Sequence, residues 1–506
     1  MLAKSTVELN IDGALAEWNN LVQWMNLAVN QSTSEDVVER KLFHGLLELG
    51  HHLLGAFLNA MGNGDMGPEV TLERSDGSEP RIVKRLAGER RRRLLTVFGE
   101  FFLSRCVYGE GERKAIVFTP VDQRLQLPES DVSYLLQEWN QLLGIDQSFG
   151  AARNIIQSIL GIQQSVDTLE RGSQRMADAA RTFRAQQPPP DPKQEGELLV
   201  ATEDNKGIPI VRPANVAIAG AHLTKGQKKN KKRFATVGCV YSVDRNRRTP
   251  EELVATLFRD PDRPTRTPPP SISRRYWTRL THDVIHASGE CEEINGQRDV
   301  FEQLAKEVAA RRKPGQKLLN LTEGQHSLET DRLKYLPVDS DTIDILDLLH
   351  VAPRLWQAAH LFHEEGSDKA SKVVRHYMLR ILQGKVKSVV SSLRAEGTRK
   401  KLKGTAKKNL RLLTRFMEEN QHRMKYDEYL AAGYPIATGV IEGACRHIVK
   451  DRMERTGMRW KTPGAQAVLE LRTIHVNGDW DPYQQFRIEH ENKRLYPYVP
   501  SPQTAA

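Results

Sequence analysis

Residues 185–196, "AQQPPPDPKQEG", constrain this chain more than any other stretch. Proline fixes φ and lacks an N–H, so neither a helix interior nor a central strand can run through four prolines in five positions. A stiff, extended spacer over 188–195 is expected, and the chain on each side must bury its own core. At 506 residues there is length for two or three domains.

Upstream, residues 1–90 read as a helical region. "DVVERKLFHGLLELGHHLLGAFLNAMG" carries Val38, Leu42, Leu46, Leu49, Leu53, Leu54 and Phe57 at helical spacing, and Gly62 closes it. His51 and His52 are helix neighbours pointing about 100° apart, which suits packing or solvation better than a shared metal. In 91–187, two β-rich runs flank "GEGERK", a hairpin signal. Two helices follow, separated by Gly161, with Ser148 and Ser165 as N-caps. The second is expected to bury Val166, Leu169 and Met176 and to show Arg171, Gln174 and Arg175. That pattern suits a helix-turn-helix entering a DNA groove, and equally an ordinary helical hairpin with a wet face.

Downstream, 196–350 reads as the first part of an α/β domain. "ELLVATED" is a strand, "NKG" a tight turn, "IPIVRP" a return strand and "RFATVGCVYSVD" a third strand. Helices are expected near 250–258 and 300–311, with strands at "KLLNLT" and "TIDILDLLH"; "RPTRTPPPSISRR" is extended and basic. The sum is a mixed sheet with helices on its faces. Residues 351–432 form a basic all-helical insertion, 433–482 return to the α/β domain, and 483–506 form a loose tail.

The formal charge of +10 and pI near 9.3 point to an acidic partner, nucleic acid before anionic membrane. Four scattered cysteines without a CxxC pair disfavour structural zinc and fit reduced thiols. No apolar run approaches the ~20 residues of a membrane span, and "MLAKSTVELNIDG" lacks a secretory core. A soluble, cytoplasmic protein with no membrane partner and no organic cofactor is expected.

Three carboxylates stand where the elements deliver side chains to a common sheet edge. Asp204 ends "LLVATED", Glu323 follows "LLNLT", and Glu442 opens a long helix, "GVIEGACRHIVKDRMERTG". In that helix Ile441, Ala444, Cys445, Ile448 and Val449 form the buried stripe, leaving Glu442, Arg446 and Lys450 on another face. Each acid alone has a plainer role: a turn residue, a cap, or an i,i+4 partner of Arg446. Together they match two-metal phosphoryl chemistry, which needs several carboxylate oxygens converging on two cations.

"GVIEGACRHIVKDRMERTGMRW", with "GAQAVLELRTIHVNGDWD", "ILDLLHVAPRLWQAA", "ATVGCVYSVD…RTPEEL" and "LLVATEDNKGIPI", resembles bacterial insertion-sequence transposases of the ISKra type, a DDE family. The likeness extends back to "TVFGEFFLSRCVY" and "TPVDQRLQL" and spans roughly residues 90 to 485. It implies an RNase H-like catalytic domain, two Mg2+ ions (Mn2+ able to substitute), and cleavage and joining of an element's double-stranded DNA ends. It also implies a homo-oligomer on DNA and a bacterial, nucleoid-associated location. The family's acids fall on Asp204, Glu323 and Glu442, as catalytic and metal-holding residues. Glu323 stands where the family has Asp, so reduced activity, or a derived DNA-binding protein, is the alternative; a metal-dependent nuclease without joining is another. Asp347, with His350, is the substitute or supporting pair.

DNA contacts are expected from Arg171, Gln174 and Arg175. Others fall in the basic loop 225–233 (Lys228, Lys229, Lys231, Lys232, Arg233), on the Glu442 helix (Arg446, His447, Lys450, Arg452), and in "TGMRWK" (Arg459, Trp460, Lys461). Trp460 would stack on an unpaired base or, as tryptophans commonly do, pack in a core.

Overall fold

The computed structural model describes residues 9–74, 79–111, 114–211, 232–285, 291–437, 439–455 and 457–501. The chain divides into two compact units, one of residues 1–185 with 480–506, the other of 186–479.

In the first unit, helices Asp12–Asn30 and Glu35–Ala60 precede strands, not further helix. Glu69–Arg74 pairs antiparallel with Arg81–Arg85, so the helical expectation for 1–90 fails beyond the second helix. Val70, Leu72 and Val83 alternate inward there, a period of two that the flanking charges conceal. Arg90–Thr96 and Gly99–Arg105 form a tight hairpin upstream of the "GEGERK" ladder of Tyr108–Gly109 with Ile116–Phe118. The expected loose tail is a helix, Trp480–Leu495, then a strand, Tyr498–Pro500, on the edge of Glu69–Arg74. Its prolines were the misleading signal, since an edge strand tolerates them. The helix is held by buried Trp480 and Tyr483.

Helices Tyr134–Asp146, Phe149–Leu160 and Val166–Ala177 pack together. Ser148 and Ser165 cap the second and third through their hydroxyls, and Gly161 ends the second at φ +70°. Leu169 and Met176 are buried as their spacing requires, but Val166 is exposed and Ser173 takes the inner face. Arg171 and Arg175 face solvent, Arg171 in an i,i+4 ion pair with Asp167, and Gln174 is half-buried.

The second unit is built on a mixed sheet. Its strands are β1 (Leu198–Pro209), β2 (Lys232–Val243), β3 (Ile272–Leu280), β4 (Leu318–Thr322) and β5 (Thr342–Leu346), in the order β5-β4-β1-β2-β3. β1, β2 and β3 are antiparallel neighbours, whereas β4 runs parallel to β1 and β5 parallel to β4. Helix α1 (Pro250–Leu257) precedes β3, α2 (Gly296–Arg311) joins β3 to β4, and α3 (His326–Tyr335) joins β4 to β5. Val300, Phe301, Leu304 and Val308 of α2 pack on Leu199, Ala201, Val240 and Trp277 of the sheet. Gly238 allows that close approach: a Cβ there would meet Val300 Cγ1 at 2.6 Å.

"NKG" is not a turn. β1 runs through it, paired with β2 as far as Pro209. The Asn205 amide, which would otherwise close a local turn, is engaged by Gln297 Oε1 (3.0 Å) and by the Thr236 hydroxyl (2.6 Å). "SISRRYWTRL" is likewise a strand, β3. The extended basic segment expected at "RPTRTPPPSISRR" leads into this strand, where Arg279 pairs with Glu470 (2.7 Å) and Asp299 (3.3 Å) while Tyr276, Trp277 and Leu280 are buried.

After β5 come α4 (Leu348–His360), α5 (Asp368–Leu382), α6 (Val386–Arg399), α7 (Gly404–Glu419) and α8 (Tyr426–Ala432). The expected single long helix at Glu442 is α9 (Gly439–Ala444), a π-helical turn (Cys445–Lys450) and a last turn to Met453. Then α10 (Thr462–Val476) packs on β3.

Candidate metal and phosphate site

β1, β4 and β5 are parallel, and β4 and β5 end level with the middle of the longer β1. Leu321 pairs with Thr202 and Thr322 with Leu346. Continuing those ladders puts Glu323 level with Asp204 on one side and Asp347 on the other. Strand alternation then gives the three carboxylates one face.

Asp204 and Glu323 interact electrostatically. Burial, and then the Glu323 charge, push the Asp204 carboxyl up to about 6, although it accepts hydrogen bonds from the Cys445 thiol and the Asn205 amide. The Cys445 bond ties the Glu442 helix to β1. The residues assigned to that helix's inner stripe, Ile441, Ala444, Cys445, Ile448 and Val449, are all buried, and Glu442 lies on its exposed side.

Asp347 is buried and caps α4 by accepting from Leu349 N (2.8 Å). His350, one turn on, places Nε2 3.3 Å from Glu323 Oε2 and Nδ1 3.7 Å from Asp347 Oδ2, the latter an ion-pair separation too long for a hydrogen bond. Asp347 and Glu323 together push the His350 imidazole up to about 10, so it is a cation at neutral pH. Among the described residues, Asp347, His350 and Glu442 offer ligand atoms within 4.8 Å of one another. Asp204 and Glu323 are outside that tightest set but adjoin it, through Cys445 and His350. Asp347 therefore stands nearer Glu442 than a supporting role requires.

Four carboxylates offer hard oxygen donors here, and the His350 imidazole could join them only after losing its proton. That set suits Mg2+ or Mn2+ more than a thiophilic metal. Asp204 is raised first by burial and then by the Glu323 charge, and a bound dication would offset the second.

Glycine is required beside the site. Gly324 has φ +83°, and a Cβ there would lie 2.9 Å from Leu346 Cδ1 and 3.1 Å from the Phe416 ring. Gly324→Ala is expected to cost about 1–3 kcal/mol of stability, read from denaturant unfolding, because it meets both the left-handed backbone and the clash.

A polar layer that the sequence did not disclose lies under the other face of β1. Glu203 points away from Asp204 and is fully buried, with neither carboxyl oxygen hydrogen-bonded. Nearby, Arg332 meets Glu329 (2.8 Å) and Asp344 (2.8 Å). Arg423, from the turn after α7, meets Glu329 (2.5 Å) and the Thr322 hydroxyl (3.0 Å). Two guanidiniums thus balance two carboxylates, and burial pushes Glu203 up to about 8. The signal available was "ATED": alternation alone sends Glu203 and Asp204 to opposite faces.

The expected DNA contacts divide. Arg446, His447, Lys450, Arg459 and Lys461 are exposed, with Asp451 near Arg446 (3.8 Å) and His447 (3.2 Å). Arg452 and Trp460 are not available: both are buried, with the Arg452 guanidinium 4.6 Å from the indole centroid. Trp460 donates Nε1–H to Met453 O (3.1 Å), and its backbone bridges to the end of β1 through Pro209 and Val211. The flanking cations suggested a surface site; the backbone bridge instead draws the ring inward. Trp460→Ala is expected to lower stability by about 3–5 kcal/mol in chemical denaturation. Lys228, Lys229 and Lys231 lie outside the described residues. Lys232, at the start of β2, pairs with Glu454 (2.9 Å), and Arg233 beside it is half-buried.

No family model and no curated protein matches this chain. Among solved structures, the "Drosophila P element transposase strand transfer complex" aligns over 72% of this chain and 83% of its own, at 9% identity and a TM-score of 0.24. No described helix is long and apolar enough to cross a membrane.

Proposed function

We propose that this chain is an insertion-sequence DNA transposase with an RNase H-like catalytic unit, binding element ends as a homo-oligomer and cutting and joining DNA. One observation carries the reading. Asp347 at the end of β5, His350 one turn on and Glu442 from a packed helix offer ligand atoms within 4.8 Å, and the interacting pair Asp204 and Glu323 adjoins them. The strand order and directions are compatible with an RNase H-like sheet, and the helical insertion sits between β5 and the Glu442 helix.

In this reading Asp204, Glu323 and Glu442 hold the cations, and Asp347 is the nearest further oxygen donor. Mg2+ bound there would supply a polarised oxygen nucleophile and charge stabilisation at the phosphate. The protein's own work is positioning. β1 and β4 fix two carboxylates at one level, Cys445 holds Asp204 toward the Glu442 helix, and His350 keeps the longer Glu323 arm from swinging free. Arg446, Lys450, Arg459 and Lys461 offer exposed charge to a phosphate backbone. No covalent protein–DNA bond is required.

The His350 contact also favours a second reading, in which Glu323 is held as a structural ion-pair partner and catalysis is weak or lost. A plasmid carrying the gene with its flanking DNA, incubated in Mg2+ or Mn2+, separates the readings. Cutting and joining by the native chain support a transposase. Cutting without joining leaves a nuclease, and activity that appears only in Glu323→Asp identifies an impaired enzyme. No cutting by either form, with DNA binding intact, leaves a binding protein.

A further inference from the structure

From Gly397 to Met417 the sequence has eight basic residues and no acid. Arg399 and Arg415 are answered by Glu396 and Glu419. The other six, Lys400, Lys401, Lys403, Lys407, Lys408 and Arg411, are exposed and make no ion pair among the described residues. They gather at the corner where α6 ends and α7 begins.

Folding alone disfavours this placement. Lys403 occupies the N-cap of α7 without a side-chain cap, and the first turn has no acid. Cations at that end oppose the helix dipole, and Lys407 and Arg411, four apart, repel each other. The corner is also built stiffly. Gly397 lets Leu410 press against α6, since a Cβ there would lie 2.4 Å from Leu410 Cδ2, and Leu393, Leu410 and Leu413 are buried. At its other end α7 abuts the candidate site, with the Phe416 ring against Gly324 and the Arg354 guanidinium 3.6 Å from that ring's centroid. From Lys403 to Phe416 a helix rises roughly 20 Å. That is less than one turn of duplex, about 34 Å.

We infer that the α6–α7 corner is a second grip on double-stranded DNA, holding backbone phosphates within one turn of the phosphate at the carboxylates. The inference rests on the proposed function, which supplies the duplex. Recognition is by charge on a rigid corner, without base reading.

The test is duplex binding by the full chain in EDTA, across a salt series, so that catalysis plays no part. The variant combines Lys400→Gln, Lys401→Gln, Lys407→Gln and Lys408→Gln, with the four Lys→Arg changes as the charge-conserving control. The slope of log affinity against log salt should become shallower by about 0.9 for each lost phosphate contact, roughly 2–4 in all, with affinity at least about tenfold weaker in moderate salt. The arginine control should keep the native slope, and thermal unfolding of the glutamine variant should be unimpaired. An unchanged slope in the glutamine variant overturns the inference and leaves the proposed function standing. A wild-type chain that fails to bind duplex overturns both. Wild-type binding to phosphatidylserine vesicles that the glutamine variant loses, with its duplex slope unchanged, assigns the corner to a lipid surface instead.

Discussion

Glu442→Gln is expected to abolish DNA cleavage, by on the order of a thousandfold or more, while leaving duplex binding and folding intact. The substitution keeps shape and removes one charge from a set that works by charge. Glu442 lies on the exposed side of its helix, so the amide leaves no buried group unsatisfied, and the inner stripe from Ile441 to Val449 is untouched. A loss of that size is about 4 kcal/mol of transition-state stabilisation, within what positioned charge supplies in phosphoryl chemistry. A separate readout follows from linkage. Mn2+ at a hundredfold its dissociation constant should raise wild-type stability by about 2.7 kcal/mol and the variant's by much less. Equal cleavage by the two proteins would remove Glu442 from the site.

The second large effect concerns Glu203 and pH. Its carboxyl is at about 8 in the folded chain against an ordinary 4.5, because burial without a hydrogen bond penalises the anion. The sign follows from proton counting. Below 4.5 both folded and unfolded chains hold the proton, so stability does not depend on it. Between 4.5 and 8 only the folded chain holds it, so stability falls as pH rises, by about 1.4 kcal/mol per unit. Above 8 both forms are ionised and the full penalty, on the order of 5 kcal/mol, is present. Glu203→Gln removes the titration while preserving shape. Thermal denaturation at pH 5 and pH 9 should therefore show a variant close to wild type in acid and clearly more stable in base. Asp204 and every other group titrate in both proteins and cancel in the difference. A gap that does not widen with pH would mean that Arg332 keeps Glu203 ionised.

Local rules carried much of the second unit. The mostly apolar runs of β1, β4 and β5 made these strands legible, with Glu323 and Asp347 just past the ends of β4 and β5, although β1 continues beyond Asp204. The Glu442 stripe followed from helical period alone, since its five inner positions need no tertiary information. Ser148 and Ser165 were legible because an N-cap is a local hydrogen bond. What failed was whatever depended on distant partners. In β3, Arg279 is neutralised by Glu470 and Asp299 and Arg275 by Glu307, none of them a sequence neighbour. Asn205-Lys206-Gly207 carries turn residues, but the Thr236 and Gln297 contacts satisfy them in an extended strand. Arg452 and Trp460 look like surface cations beside an aromatic until the bridge to Pro209 draws the ring inside. The Glu203–Arg332–Arg423 layer combines three separate segments, and no local pattern announces it.

The central claim, that these carboxylates share a divalent cation, is tested most directly by anomalous scattering from Mn2+ in crystals of the full chain. The account predicts a Mn2+ peak bounded by the carboxylates of Asp204, Glu323, Asp347 and Glu442, and its loss in Glu442→Gln. A Mn2+ peak elsewhere, none at saturating Mn2+, or an unchanged peak in that variant would contradict it.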